Sequence, residues 1–230
     1  MHIPDGFLDP KMSGGLLGAA LAALAYCFAK VAKTVSAPVP QQVLAAAGNA
    51  LGNLKLSARR ALTEDGEFKL RRMAEAAAWV FAAQMFNFPI GGGTSGHLLG
   101  GVFAAALVGP YAGALVLAGV VTLQAALFGD GGLAALGANI VNMAAAGALA
   151  GGGLYLLLKK SFPETFSVAV AAWCSVMLAA LLCSLELGFS GTVGVGAAVW
   201  AMLGTHALIG LAEAGLTVAL LNIFRKMDKR

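Results

Sequence analysis

The sequence predicts an all-α integral membrane protein of about seven transmembrane helices, and three observations carry that prediction. Of its 230 residues, 59% are hydrophobic and only 11% charged, and the mean hydropathy is +0.82, well outside the range of soluble globular domains. The apolar residues gather into runs that match a bilayer crossing, roughly 20 residues for a hydrocarbon core about 30 Å thick. The lysines and arginines stand in short clusters beside those runs, where such charges set topology. The chain therefore reads as a single transmembrane domain over 1–230. A net charge of +4 and a pI near 9.1 would also suit nucleic acid, but the clusters are too short and too close to apolar runs, so no nucleic-acid partner is expected.

The first span is expected over about 14–35, ending near Lys30 and Lys33. A polar segment, 36–72, follows. It carries Lys55, Arg59, Arg60, Lys69, Arg71 and Arg72 and reads as a cytoplasmic loop inserted between the first two helices, with a short amphipathic helix over 41–62. The second span covers about 73–88 and stops at Pro89, because proline disfavours helix in the residue before it. The glycine-rich stretch IGGGTSGH then offers irregular backbone around His97. A short third span, 98–108, turns at Gly109-Pro110. Spans four to seven fall at about 111–128, 136–158, 166–187 and 195–224, separated by GDGG, KKSFPE and GFSGT.

Seven crossings put the two termini on opposite sides, and the charges orient them. The 30–72 loop, Lys159 with Lys160, and the tail RKMDKR fall on one side, whereas the connections PIGGGTSGH, FGDGG and LGFSG carry no Lys or Arg. The basic side is cytoplasmic. The N-terminus is thus expected outside, the C-terminus in the cytoplasm, and Met1, His2 and the loop bearing His97 share the outer face. The opening MHIPDGFLDPKM lacks the basic n-region of a secretory signal, so the N-terminus is expected to be retained. Cys27, Cys174 and Cys183 lie inside apolar segments and form no CxxC pair, which points to neither a disulfide framework nor a zinc site.

A retained N-terminus has chemistry of its own. The α-amine of Met1, the backbone amide of His2 and the His2 imidazole Nδ1 can bind one metal through a five-membered and a six-membered chelate ring. Ionising an amide requires a metal that gains from a square-planar nitrogen field, which favours Ni(II) or Cu(II) over Co(II). His97 is the best candidate for a fourth nitrogen, since it shares the outer face and sits in glycine-rich backbone that permits close approach. A histidine in second position or in a loop also occurs without any metal, so the residues alone leave both readings open.

Four blocks carry a resemblance: MHIPDGF, FNFPIGGGTSGHLLGG, GANIVNMAAAG and THALIGLAEAGLT, spread in order over 1–217. Together they resemble the NikM/CbiM family, the substrate-specific components of energy-coupling factor (ECF) transporters for nickel and cobalt. The resemblance implies a seven-helix fold with the N-terminus tucked into the bundle. It also implies a planar metal site made by the Met1 amine, the His2 amide and imidazole, and the His97 imidazole. Ni(II), with Co(II) as the alternative, would be the substrate, and no organic cofactor is implied. The expected partners are a transmembrane coupling subunit, cytoplasmic ATPase subunits and a possible small accessory membrane subunit, in a prokaryotic inner membrane. The chain carries no GxxxxGK[ST] phosphate loop. The 36–72 segment is longer than the family pattern leads one to expect.

Other residues join the candidate list. Gly14, Gly18 and Ala22, and in parallel Gly15, Ala19 and Ala23, form small-xxx-small faces on the first span that suit internal packing or docking of the coupling subunit. His206 and Glu213, seven residues apart, share one face of the seventh span about 10 Å apart along the axis; they suit a buried structural pair or support behind the metal ligands. Asn139 and Asn142 can orient the N-terminal segment or bond between helices. Asp5 can fix the N-terminal turn, stand behind the metal, or be solvated. Two rival classes remain: an intramembrane metalloenzyme, for which three histidines without HExxH are a poor set, and a vitamin-binding component of the same transporter class, which would need a larger pocket.

Overall fold

The computed structural model describes residues 2–50, 60–85, 87–90 and 94–227. Helix α1 (Pro10–Val35) starts earlier than its hydropathy indicates: Asp9 caps it, accepting from Lys11 N at 2.8 Å and Met12 N at 3.3 Å. Pro10 is no break there, because the first helical position needs no amide hydrogen. Strand β1 (Ser36–Pro38) then pairs antiparallel with β2 (Arg60–Leu62), and α2 (Gln41–Ala50) lies between them. The amphipathic helix expected over 41–62 is thus too long at its end, since 60–62 are extended and hydrogen-bonded to β1. Residues 51–59 of that expectation lie outside the described residues.

The expected loop over 36–72 also gives up its last part to helix. Helix α3 (Glu64–Gln84) begins at a Thr63 cap, whose Oγ1 accepts from Gly66 N at 3.0 Å. Glu64, Asp65 and Glu67 occupy its first turn, where the helix dipole favours negative charge. These charges lower the local hydropathy and hide the helix from a transmembrane scan. Of the stretch IGGGTSGH expected as irregular backbone, Ile90 and Thr94–His97 lie in strands instead: β3 (Asn87–Ile90) and β4 (Thr94–His97) pair antiparallel, with Asn87 opposite His97, while residues 91–93 lie outside the described residues. Gly100, at φ 74°, then turns the chain into α4 (Gly101–Val108).

Helix α5 (Pro110–Leu123) continues in a wider π-helical turn, Gln124–Phe128. The next crossing is built from α6 (Leu136–Ile140), a π-helical stretch Val141–Ala150, and α7 (Gly151–Leu158). Helices α8 (Glu164–Phe189) and α9 (Val195–Met227) close the bundle. Five of these helical runs are long and apolar enough to cross a membrane: Pro10–Val35, Pro110–Phe128, Leu136–Leu158, Glu164–Phe189 and Val195–Met227. With α3 and the short α4 they make the seven-helix, all-α membrane bundle expected from the sequence.

The basic residues collect at one end of that bundle. Arg72 stacks over Phe224 at 5.4 Å, Arg225 pairs with Glu164 at 2.6 Å, and Lys69 Nζ donates to Thr34 at 3.2 Å. The opposite end carries the 129–135 turn, the 190–194 turn and the N-terminal segment. Helix α4 is held against the fifth crossing by backbone contact: a Cβ on Gly101 would lie 2.4 Å from the carbonyl carbon of Gly147. That contact fixes where the chain emerges from the His97 hairpin.

Candidate metal centre

Residues 2–9 run into the bundle as an irregular segment, without regular structure over 2–4 and turning over 5–8. Ile3 is fully buried. Its N–H donates to Asn139 Oδ1 at 2.7 Å, and its carbonyl accepts from Asn139 Nδ2 at 3.1 Å and Gly132 N at 2.9 Å. Asn139 therefore mimics a neighbouring strand with one side chain. Two residues on, Asp5 Oδ1 accepts from Ala134 N at 2.7 Å and Ala135 N at 3.3 Å. It thereby holds the turn that leads into α6 (Leu136–Ile140). Thr192 Oγ1 donates to the carbonyl of Phe7, tying the segment to the 190–194 turn.

This segment carries His2 into the core beside His97. His2 is 2% and His97 0% exposed; their ring centroids stand 4.6 Å apart, tilted by 35°. His97 Nδ1 lies 2.7 Å from the carbonyl of Leu98. A carbonyl can only accept, so Nδ1 carries the hydrogen and Nε2 keeps a bare lone pair. That Nε2, and both ring nitrogens of His2, have no hydrogen-bond partner among the described residues although they are buried. Asp130 Oδ2 approaches His2 Nε2 at 3.8 Å, beyond hydrogen-bond reach. Burial pushes the His2 imidazole down to about 3. Burial also holds His97 well below its usual value, helped by the charges that His2 and His206 would carry. Both rings are thus neutral, the form that binds metal. Burial raises the Asp130 carboxyl.

Backbone geometry leaves room for the His2 ring. Gly131 has φ 90°, and a Cβ there would sit 2.8 Å from His2 Nδ1 and 2.9 Å from Asn139 Nδ2. Gly132 is equally constrained, since its Cβ would fall 2.0 Å from Asp5 Oδ1. The stretch GDGG, which reads only as a turn in the sequence, is therefore the wall of the site.

The remaining candidates separate into groups. Met1 lies outside the described residues. Asn139 and Asp5 hold the N-terminal segment. Glu213, 2% exposed, accepts from Leu99 N at 2.8 Å and Gly100 N at 2.7 Å, fixing the backbone just past His97. His206 is fully buried on the core side of α9, with Nδ1 2.8 Å from the Met202 carbonyl. Asn142 turns away to Glu186, bonding Oε2 at 2.6 Å. Gly14, Gly15, Gly18, Ala19 and Ala22 are exposed and Ala23 half-buried, so this face of α1 does not pack within the bundle. Sequence reasoning missed Gln84 and Gln124, both fully buried. Gln84 Nε2 donates to the Leu99 carbonyl at 2.7 Å, while neither side-chain amide atom of Gln124 has a partner among the described residues. A glutamine inside an apolar run is the signal that could have found them.

A multi-pass helical bundle, entered at one end by its own N-terminal segment and holding two neutral, buried imidazoles with ring nitrogens unpartnered among the described residues, defines a membrane protein equipped to take a nitrogen-seeking cation. The profile of the CbiM family, the cobalt uptake substrate-specific transmembrane region, matches residues 2–230, and the chain belongs to that family. It is similar to a protein of Haloquadratum walsbyi provisionally named a metal transport protein, at 37% identity over 94% of this chain and 86% of that one. It also resembles a provisionally named fused nickel transport protein, NikMN, of Archaeoglobus fulgidus, at 36% identity over 96% of this chain and 64% of the fused protein. Among solved structures it superposes on a truncated transition metal transporter with a TM-score of 0.80, 28% identity and 99% coverage of both chains. The chain is a multi-pass membrane component of nickel or cobalt transport, not an enzyme.

Proposed function

We propose that this chain is the substrate-specific component of an ECF-type transporter and captures Ni(II) from the outer face through a square-planar site of four nitrogens. The ligands are the Met1 amine, the His2 amide, His2 Nδ1 and His97 Nε2. The observation that carries this reading is the buried His2–His97 pair, with ring centroids 4.6 Å apart and lone pairs that no group among the described residues uses. No group of three His, Cys, Asp or Glu side chains that could hold a metal occurs among the described residues, so further ligands are sought in the backbone. Amide nitrogen in a plane rewards Ni(II) and disfavours tetrahedral Zn(II). Cu(II) would bind such nitrogens more tightly still, so its exclusion rests on its supply outside the cell.

ATP hydrolysis belongs to cytoplasmic partner subunits, and a transmembrane coupling subunit transmits it. The exposed Gly14–Gly18–Ala22 face supports docking through α1: added Cβ atoms on Gly14, Gly15 and Gly18 would meet nothing within 4 Å. The basic end of the bundle, with the 36–72 segment, faces the cytoplasm. The test is a Ni(II) titration of purified protein by visible absorption, with His2→Ala, His97→Ala and a one-residue N-terminal extension alongside. Wild type should bind about one nickel with the d–d band of a planar low-spin centre, and all three variants should lose it. An extended protein that keeps an unchanged spectrum rejects the N-terminal chelate.

A further inference from the structure

The two imidazoles of the site differ in what holds their ring hydrogens. At His97 the hydrogen is on Nδ1, 2.7 Å from the Leu98 carbonyl, which leaves Nε2 for a metal. At His2 the chelate uses Nδ1, so the ring hydrogen must stand on Nε2. That nitrogen is buried and has no hydrogen-bond partner among the described residues. A metal-bound imidazole gives its second N–H to a carboxylate, a backbone carbonyl or water, and this bond fixes both the tautomer and the ring orientation. His97 has such an acceptor in hand, whereas His2 still needs one.

A carboxylate faces the His2 nitrogen. Asp130 Oδ2 stands 3.8 Å from His2 Nε2, with its side chain 27% exposed. The backbone on both sides of Asp130 is tied down. Asp130 N donates to the Gln124 carbonyl at 3.2 Å, and Gly132 N donates to the carbonyl of Ile3, one residue past His2, at 2.9 Å. Gly129 and Gly131, at φ 64° and 90°, turn the chain sharply on either side, which residues with a Cβ rarely permit. The Gly132–Ile3 bond thus sets the register between Asp130 and His2. Within that fixed frame, a swing of the carboxylate by about 1 Å brings Oδ2 to hydrogen-bond distance of Nε2.

We propose that Asp130 is the positioning residue of His2: in the nickel-loaded protein its carboxylate accepts the Nε2 hydrogen and holds Nδ1 toward the ion, as the Leu98 carbonyl does for His97. The proposal rests on the His2–His97 reading above. Its test uses the purified chain with 15N in its imidazoles, of which there are three. Planar low-spin Ni(II) is diamagnetic, so ring N–H protons can be followed by NMR while affinity is measured from the visible band. In nickel-loaded wild type the His2 Nε2–H signal is expected downfield and slow to exchange. Asp130→Ala should bind Ni(II) at least about tenfold more weakly. At saturating nickel its His2 signal should move upfield or vanish by exchange, with the His97 Nδ1–H signal unmoved. Asp130→Asn keeps an accepting oxygen, so it should bind within about threefold of wild type with an intermediate shift. Should Asp130→Ala fail to fold, the shift in Asp130→Asn decides. Wild-type affinity in Asp130→Ala, or a His2 signal unchanged by either substitution, overturns the proposal. Loss of the planar band in Asp130→Asn also overturns it, since the carboxylate would then be a ligand itself. Failure of the underlying reading looks different: wild type itself then shows no planar nickel band.

Discussion

Gly131 shows how closely the site is fitted around single atoms. Its φ of 90° and the 2.8 Å that would separate a Cβ from His2 Nδ1 make Gly131→Ala a local lesion. The left-handed backbone alone costs about 1–2 kcal/mol for alanine, and the methyl displaces the ring. Nickel affinity should fall at least about tenfold while the thermal unfolding of the bundle changes little, both measured on the purified variant. Acidity acts on the same ring. The folded-state value of His2 is about 3, below its ordinary value near 6.5. Its buried form therefore contributes stability that is complete above about pH 6.5 and is lost as pH falls toward 3. Proteolytic protection of the N-terminal segment should weaken through that window and be unchanged between pH 7 and 8. The ligand types were legible in the sequence, because MHIPDGF and the His97 block state them. The glycine wall was not, since a GDGG turn has the same composition whether it touches solvent or an imidazole.

At the scale of elements, the N-terminal segment is held at Ile3 by the side chain of Asn139. Asn139→Ala removes two hydrogen bonds to Ile3, worth roughly 1–3 kcal/mol together. Nickel binding should weaken by about tenfold or more on titration, with α6 still folded because Asp5 holds the turn before it. Helix α3 teaches a different lesson. Hydropathy places its start near 73, yet the Thr63 cap and its acidic first turn start it at Glu64. Membrane scans weigh apolar content, whereas helix starts are set by capping and dipole, so charged first turns escape them. The His97 segment was read as loop because its glycines dominate the pattern. The pairing of Asn87–Ile90 with Thr94–His97 depends on two segments meeting, and no single window contains that information.

On the scale of the whole molecule, α1 is the exposed member of the bundle, with 17% of its most apolar window buried against 56% for Pro110–Phe128. Gly18→Leu adds bulk where nothing lies within 4 Å. Nickel binding and unfolding of the isolated chain should be unchanged, and co-purification with the coupling and ATPase subunits should be lost. Retained assembly in that variant would remove this face of α1 from the docking surface. The same stripe suited internal packing equally well on sequence grounds. The close approach that α1 does make is supplied from the other side, by Gly137 against the backbone of Leu17, so the small residue sits on the partner helix.

The sequence by itself determined the membrane class, the helix spans to within a few residues for five of seven crossings, the clustering of basic charge at one end, and the family. Each follows from local composition, which sets hydropathy, charge position and motif identity without reference to distant residues. Only the tertiary structure decided which polar groups meet. It brought His2 beside His97, gave Ile3 to Asn139, assigned Asn142 to Glu186, and set Asp130 beside Nε2 of His2. A buried polar group is defined by its partner, and the partners lie as many as 136 residues apart, so that information exists only once the chain has folded.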